Sequence, residues 1–545
     1  QDDYRVTKRL TLNLGLRYEF LGNNFEVQDR LGNFDPSLVP DEAKRTGGPD
    51  LLKGFIAPAS LKGFGTPGVS RSTMKEDDLN NFAPRVSFAL DVFGNGKSSL
   101  RGGYAVFFQR IAAGSTLQTI SSVPFALNAS ITNTGRTGIL NDPFPRLPLP
   151  TEFPLLPTPP TLTGINAATG APVFTGLRLS VSALDRNMRT PYTQQWNLTT
   201  QYEFLPRWVA ELGYLGSHGV KLLNGVSLNN AVLRNANNPA AFGVVTNSSS
   251  NREARAPIVG FSEGGIFWIT NGGNSIYHAM LLSVNHQFSR GLFFKGAYTF
   301  SKSIDNYPAN AGFDIGGTAA GNQFIPALNR GLSAFDVRHR FVVTYVYDLP
   351  GPRKGLLGAF FGNWSVSGMT TYQSGLPGSI FQSIGASSLS GTSGYGNILP
   401  GCQLVNTGGS TQDRLNNYLN AACVSATPLL AGGTTFGPLS PFEGPGDQTY
   451  TIDPRGSGRL QGSSGRGVFR APFQQRWDFS LARRFPLRLL GEAGAVEFRA
   501  EFFKLFNTPI FNGPGSSAGT GTFGLITSTI DNTGRQAQFA LKLNF

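Results

Sequence analysis

Charge is what this chain has least of. Only 14% of its 545 residues are Asp, Glu, Lys or Arg, where about a quarter is usual for a soluble domain. Long apolar runs are missing too. Nothing approaches the 18 apolar residues that a membrane-crossing helix needs, so such helices are excluded. Histidine numbers four and cysteine two. His218, His278, His286 and His339 show no metal-ligand spacing, and no C-x-x-C pair occurs. Gly519-Thr-Gly-Thr-Phe-Gly524 matches G-x-G-x-x-G. It lies in a Gly/Ser loop rather than between a strand and a helix, where a nucleotide site would need it. No catalytic, cofactor-binding or metal-ligating residue is expected, and hence no enzyme.

What the chain has is alternation. Phe is unusually common at 43 residues and Gly reaches 68. In the last segment, Ala537, Phe539, Leu541, Leu543 and Phe545 fall on one side of an extended strand. Gln536, Gln538, Lys542 and Asn544 fall on the other. Leu12, Leu14, Leu16, Tyr18 and Phe20 alternate in the same way with Asn13, Gly15, Arg17 and Glu19. So do Val86, Phe88 and Leu90, and after the turn Gly94-Asn-Gly-Lys97 so do Leu100, Gly102, Tyr104, Val106 and Phe108. Further strands are expected around Trp196–Phe204, Trp208–Tyr214, Met280–Phe288, Leu292–Phe300, Phe341–Tyr347, Trp364–Tyr372, Trp477–Leu481 and Val496–Phe502. About twelve full strands and a stub at residues 1–6 result, most of a length that crosses a bilayer at a tilt.

The connections alternate in length. One set has roughly three to thirteen residues. The other, near 21–80, 111–193, 218–274, 303–336, 375–473 and 507–534, has roughly 30 to 100 and is rich in Gly, Pro, Asn and Ser. Short periplasmic turns and long extracellular loops mark outer-membrane barrels. Phe204 and Trp208 flank a short turn, Trp364 follows another, and Trp196 and Trp477 sit at loop ends, as interfacial aromatic girdles require. The expected fold is all-β: an antiparallel transmembrane β-barrel in the outer membrane.

The polar strand face would line the lumen. Its candidates are Arg17, Glu19, Arg85, Asp91, Arg101, Glu203, Glu211, Lys295, Glu497, Arg499 and Glu501. The run Glu497-Arg499-Glu501 reads either as a contact to a plug or ligand or as a self-paired ladder. The net charge of +13 carries no basic cluster and so does not indicate nucleic acid. It fits anionic lipid headgroups such as lipopolysaccharide, anionic ligands or unspecific surface charge. Cys402 and Cys423 share one loop, which suggests a single disulfide, the alternative being two free thiols. No signal peptide opens the chain.

The opening Gln1-Asp-Asp-Tyr-Arg-Val-Thr-Lys-Arg-Leu-Thr-Leu-Asn-Leu-Gly-Leu-Arg-Tyr-Glu19 is similar to barrel strands of TonB-dependent receptors, especially the Oar-like group. So are Asn81–Phe88, Tyr298–Asp305, Asp336–Phe341 and Ala500–Asn507. The resemblance implies a 22-stranded barrel with an internal plug and an N-terminal segment that engages TonB. About 12 to 14 of those strands would be present here. Residues 1–545 would be the C-terminal barrel portion, with signal peptide, plug domain and first strands absent. It further implies energy-coupled uptake of a large scarce solute, a metal chelate or a carbohydrate. The alternative is an outer-membrane structural or adhesion protein that uses its loops to bind a partner. The terminal strand, with Phe539, Leu541, Leu543 and Phe545, resembles the signal read by the barrel-assembly machinery.

Overall fold

The computed structural model describes residues 2–120, 125–126, 159–168, 170–175, 178–231, 240–244, 250–307, 329–352, 355–382, 395–425, 464–487, 494–530 and 534–544. Thirteen strands form one continuous sheet: β1 (Asp2–Arg5), β2 (Leu10–Tyr18), β3 (Phe82–Leu90), β4 (Ser98–Phe108), β5 (Tyr192–Leu205), β6 (Trp208–Ser227), β7 (Phe261–Ser289), β8 (Leu292–Asp305), β9 (His339–Asp348), β10 (Trp364–Gln373), β11 (Gln474–Pro486), β12 (Ala495–Phe503) and β13 (Gln536–Asn544). Each pairs antiparallel with its neighbour in sequence, without a crossover. This is the expected set of twelve strands and a stub.

Local chemistry fixes the short turns. Between β3 and β4, both Gly94 and Gly96 have φ of 71°, a conformation glycine adopts without a Cβ penalty. The Asp91 carboxylate accepts hydrogen bonds from their amides at 2.9 Å each. Between β7 and β8, Arg290 and Gly291 have φ of 49° and 80°, the two left-handed residues of a type I′ hairpin turn.

Register then sorts the two faces. Leu12 faces Phe88 across the β2–β3 pair, and Leu198 faces Gly102 and Tyr214 across β4, β5 and β6. The apolar side chains of this face are exposed; Leu16 and Leu541 keep 68% and 76% of their surface open. In water such a wall would be a large aggregation liability. In lipid it is the solvated face. Glycine shapes it as well: a Cβ on Gly216 would lie 2.2 Å from the Trp196 ring, which covers it. Trp196 stands near the loop end of β5 and Phe204 near its turn end. The eight steps between them span about 26 Å along the strand, which at the tilt of barrel strands covers most of the height of an apolar band.

Two strands depart from expectation. The segment 218–274 reads as one loop in the sequence, yet β6 runs on to Ser227 and β7 begins at Phe261, for lengths of 20 and 29 residues. About nine to eleven residues suffice to cross a bilayer at a tilt, so this hairpin stands well above it. The sequence hides the extension because bulges at Gly219–Leu222–Asn224 break the register, and with it the period of two.

The described buried clusters lie mainly above the sheet wall. One joins Phe34, Leu51, Phe55, Leu179, Val181, Phe261 and Ile266; another joins Ile380, Leu419, Phe469 and Ala518. Both are built largely by the long connections. A cysteine at Gly408, in one of them, is expected to react with an impermeant maleimide on intact cells. A cysteine at Lys97, in the β3–β4 turn, should react only once the outer membrane is opened. The reverse pattern would invert the topology.

Candidate functional site

The long connections fold into two bodies on one edge of the sheet. The first draws on the described residues among 31–78, 159–191 and 228–260, mounted on the raised β6–β7 hairpin. A short strand, Leu179–Leu184, lies parallel to the upper part of β7. Asn33 completes its edge: the side-chain amide donates to the Leu184 carbonyl at 3.0 Å, and the side-chain oxygen accepts from the Leu184 amide at 2.8 Å. Asn229 plays the same part for residues 258–262, accepting from the Ile258 amide at 2.9 Å and donating to the Ser262 carbonyl at 3.1 Å. Satisfying buried backbone groups in this way is what permits irregular segments to be buried at all. Arg186 pairs with Asp35 at 3.1 Å. Burial alone would raise the Asp35 carboxyl, but the hydrogen bonds from Ser37 and Arg186 outweigh it and hold the group below its usual range.

A cleft opens where this body meets the wall, lined by Leu21, Asn24, Met74, Asp78, Met188 and Thr190 among others. The Thr190 amide donates to one Asp78 oxygen at 2.8 Å. The other oxygen has no hydrogen-bond partner; Arg189 stands 3.7 Å away.

The second body draws on residues 376–382, 395–425, 464–472 and 511–530. Its short helix Thr411–Asn416 carries a capping box between Ser410 and Asp413. Cys402 and Cys423 are joined as a disulfide with Cα atoms 5.5 Å apart. In the loop-entropy model a closed loop of this size is worth about 3 kcal/mol. Non-reduced peptide mapping is expected to yield one cross-linked peptide, and reduction should sensitise 395–425 to protease while leaving the barrel intact. Two alkylatable thiols in the oxidised protein would refute the bond.

Two ion pairs tie the second body to the rim. Arg466 bonds the Asp305 carboxylate and donates to the Gly331 carbonyl at 3.1 Å. Arg470 bonds Asp336, whose other oxygen accepts from the Ser303 amide at 2.5 Å. Nearby, the Tyr395 hydroxyl donates to Asn329 at 3.2 Å. Burial pushes its pKa up to about 12, although the Arg466 charge opposes the shift.

Below the bodies runs the polar face. Register, continued by alternation one residue past the strand ends to Glu19 and Asp91, places Arg17, Glu19, Arg85, Asp91, Arg101, Glu203, Glu211, Lys295, Glu497, Arg499 and Glu501 on one side of the sheet. They do not converge on one point. Arg17 pairs with Glu19 at 3.0 Å, and Glu211 accepts from Gln201 at 2.5 Å. Arg85 lies over the Phe107 ring at 5.2 Å. Asp91 serves its turn, and Glu203 likewise accepts from the Arg207 amide at 2.9 Å. Arg499 bridges Glu497 at 2.7 Å and Glu501 at 3.5 Å along a single strand. Lys295 stands between Asn285 and Thr344. The same face also carries Arg340, Arg476, Asp478, Arg484 and Lys542, which the sequence reading did not single out as lumen candidates. Arg340 and Arg476 sit directly before Phe341 and Trp477, so alternation was the signal that could have found them. Among the described residues, no group of three or more His, Cys, Asp or Glu side chains could hold a metal ion.

Solved structures similar to the chain include the outer membrane transporter YddB from Escherichia coli, at 10% identity and TM-score 0.38 over 85% of this chain and 40% of that one. The siderophore receptor PirA from Acinetobacter baumannii is similar at 10% identity and TM-score 0.40, over 100% and 44%. The ferripyoverdine receptor of the outer membrane of Pseudomonas aeruginosa is similar at 9% and 0.37, over 99% and 37%. The chain thus spans less than half the length of each. No curated protein matches it. A family model described as an outer membrane beta barrel domain matches residues 1–538. Across almost its whole length the chain therefore belongs to the family of outer membrane beta barrel domains, and its place is the bacterial outer membrane.

Proposed function

We propose that this chain is the barrel portion of an Oar-like, TonB-dependent transporter that takes up a large scarce solute, a metal chelate or a carbohydrate. The observation that carries the reading is the pair of folded bodies on the loop edge, above a wall that carries charges of both signs, with Arg17–Glu19 and Arg499–Glu497 paired along their own strands. A barrel that only stiffens the membrane has no use for such elaborate exterior cores; a receptor does. The bodies would capture the solute, and the polar wall would contact a plug whose rearrangement, driven through TonB, lets the solute pass. The strand motifs similar to TonB-dependent receptors support the same reading.

Deleting the gene in its host and scoring growth separates transport from adhesion. Growth should fail on one ferric chelate or glycan as sole source, and an uncoupler should stop accumulation of that solute while sparing its binding at the surface. Normal growth on every source, combined with lost attachment to a surface, would replace transport by adhesion.

Assembly is part of the proposal. Phe539, Leu541 and Leu543 stand exposed on the lipid face of β13; Phe545 lies outside the described residues. An unpaired strand edge is the template that strand-adding machinery reads. Deleting Phe545 is expected to lower the inserted amount several-fold more than Phe479→Ala, which changes the same face in mid-chain. Equal insertion of the two variants would make the terminus ordinary wall.

A further inference from the structure

The histidines look scattered along the chain, but the sheet gathers three of them. Lys302 on β8 stands directly opposite His278 on β7, and His339 on β9 stands opposite Phe300, the residue two before Lys302. His218 on β6 sits two residues beyond Gly216, the partner of His278. All four side chains point to the lipid face, at its loop-side margin. Trp196, Tyr214 and Phe300 of the aromatic girdle adjoin them, with Trp196 and Tyr214 ring centroids 6.0 and 6.1 Å from His278 and Phe300 at 5.1 Å from His339.

The rings are held rather than free. The His278 Nδ1 lies 2.8 Å from the Tyr214 hydroxyl, and the His339 Nδ1 lies 2.8 Å from the Tyr298 hydroxyl. Each contact occupies one ring nitrogen and leaves Nε2 for an outside partner. His278, Lys302 and His339 are exposed. Lys221 adds a cation at the margin, with Nζ 5.9 Å from the Tyr192 ring centroid.

Charge on this wall is rare elsewhere. On the lipid-facing register positions of β2–β13, the other basic or imidazole groups are His286 and Arg483, at the turn end. Those positions carry no Asp or Glu among the described residues. A charge facing lipid is costly at mid-depth and tolerated at the headgroup level. The Lys302 ammonium, with the imidazoles of His278 and His339 beside it, His218 held by Asn274 at 3.1 Å, and no carboxylate at those positions, therefore calls for an anion in that layer. An ammonium and imidazole N–H groups are donors suited to phosphate oxygens.

We propose that His218, His278, Lys302 and His339 form a docking site for the phosphorylated headgroup of an outer-leaflet glycolipid. The plain competitor is a set of interfacial side chains that snorkel without preferring any lipid.

Native mass spectrometry of the purified full chain in detergent decides between them, with diphosphorylated lipid A, its dephosphorylated form and inorganic phosphate as probes. Diphosphorylated lipid A should be retained about tenfold more than the dephosphorylated form, given the attraction of basic side chains to anionic lipid. Lys302→Gln with His278→Gln should abolish that preference, and His339→Gln alone should reduce it. Arg483→Gln with His286→Gln, at the opposite interface, should leave it unchanged. Equal retention of the two lipids, or an unchanged preference in both the double and the single loop-side variants, would overturn the site. Full competition by millimolar inorganic phosphate would reassign it to a free anion.

Discussion

Replacing Phe261 by alanine is expected to unravel the first exterior body while the barrel stays inserted. Phe261 is fully buried at the start of β7, its ring centroid 4.9 Å from that of Phe34 and 6.2 Å from that of Phe55. Phe261 also pairs with Leu179, so it joins three connections at one point. Truncating a buried phenylalanine costs about 3–5 kcal/mol. A body with so small a core has little stability to spare. Trypsin added to intact cells should then cut between residues 31 and 75 at sites the wild type protects. The heat-modifiable band of the folded barrel should persist, since β2–β5 do not depend on this contact. Leu541→Ala removes a comparable side chain from a face already open to lipid and should leave trypsin resistance unchanged. Wild-type resistance in the Phe261 variant would mean the body is not a cooperative unit.

Asp336→Ala is expected to release the second body from the rim. The Asp336 side chain is fully buried, and its carboxylate holds both Arg470 and the Ser303 amide. Removing one partner of a buried ion pair costs about 3–5 kcal/mol, because the other charge is left without its counter-charge. Arg470 would keep only carbonyl contacts, such as that to Gly375 at 3.2 Å. Amide exchange at 329–337 and 464–471 should accelerate, while exchange at 339–348 in β9 stays slow. The diagnostic variant is Asp336→Ala combined with Arg470→Met. Deleting both partners removes the stranded charge, so the double variant should recover part of the protection. A double variant more labile than the single would show that the charge was not the cause.

The wall was legible in the sequence and the exterior bodies were not, and the reason is periodicity. A strand with one face in lipid and one in the lumen must alternate, and Leu12 through Phe20 or Ala537 through Leu543 do so without a break. Register then follows from short turns such as Arg290-Gly291. The bodies obey no such period. Phe34, Leu51, Phe55 and Ile56 are all buried, yet their spacing matches neither a strand nor a helix. Their partners, Val181, Phe261 and Ile266, lie more than a hundred residues away. The raised hairpin was missed for a related reason: its bulges shift the alternation, so Leu222 to Ser227 reads as loop. Of the polar face, the residues were visible but their roles were not. Asp91 and Glu203 sit at the right parity and are engaged by turn amides, which only the turn geometry reveals. The histidine patch is the extreme case. His278 and His339 are sixty-one residues apart in sequence, and only the order of strands brings them to one height on the wall.

The raised β6–β7 hairpin and the bodies around it also fix what the surroundings of the cell encounter. Asn33 is bonded to Leu184 across more than 150 residues of chain, and Arg466 reaches Asp305 across 161. Neighbouring points of the outer surface thus come from distant parts of the polypeptide. An antibody or phage that grips this surface reads a conformational epitope. A linear peptide copied from any one connection would present a different shape. A serum raised against such a peptide should recognise the denatured chain on a blot and pass over the living cell.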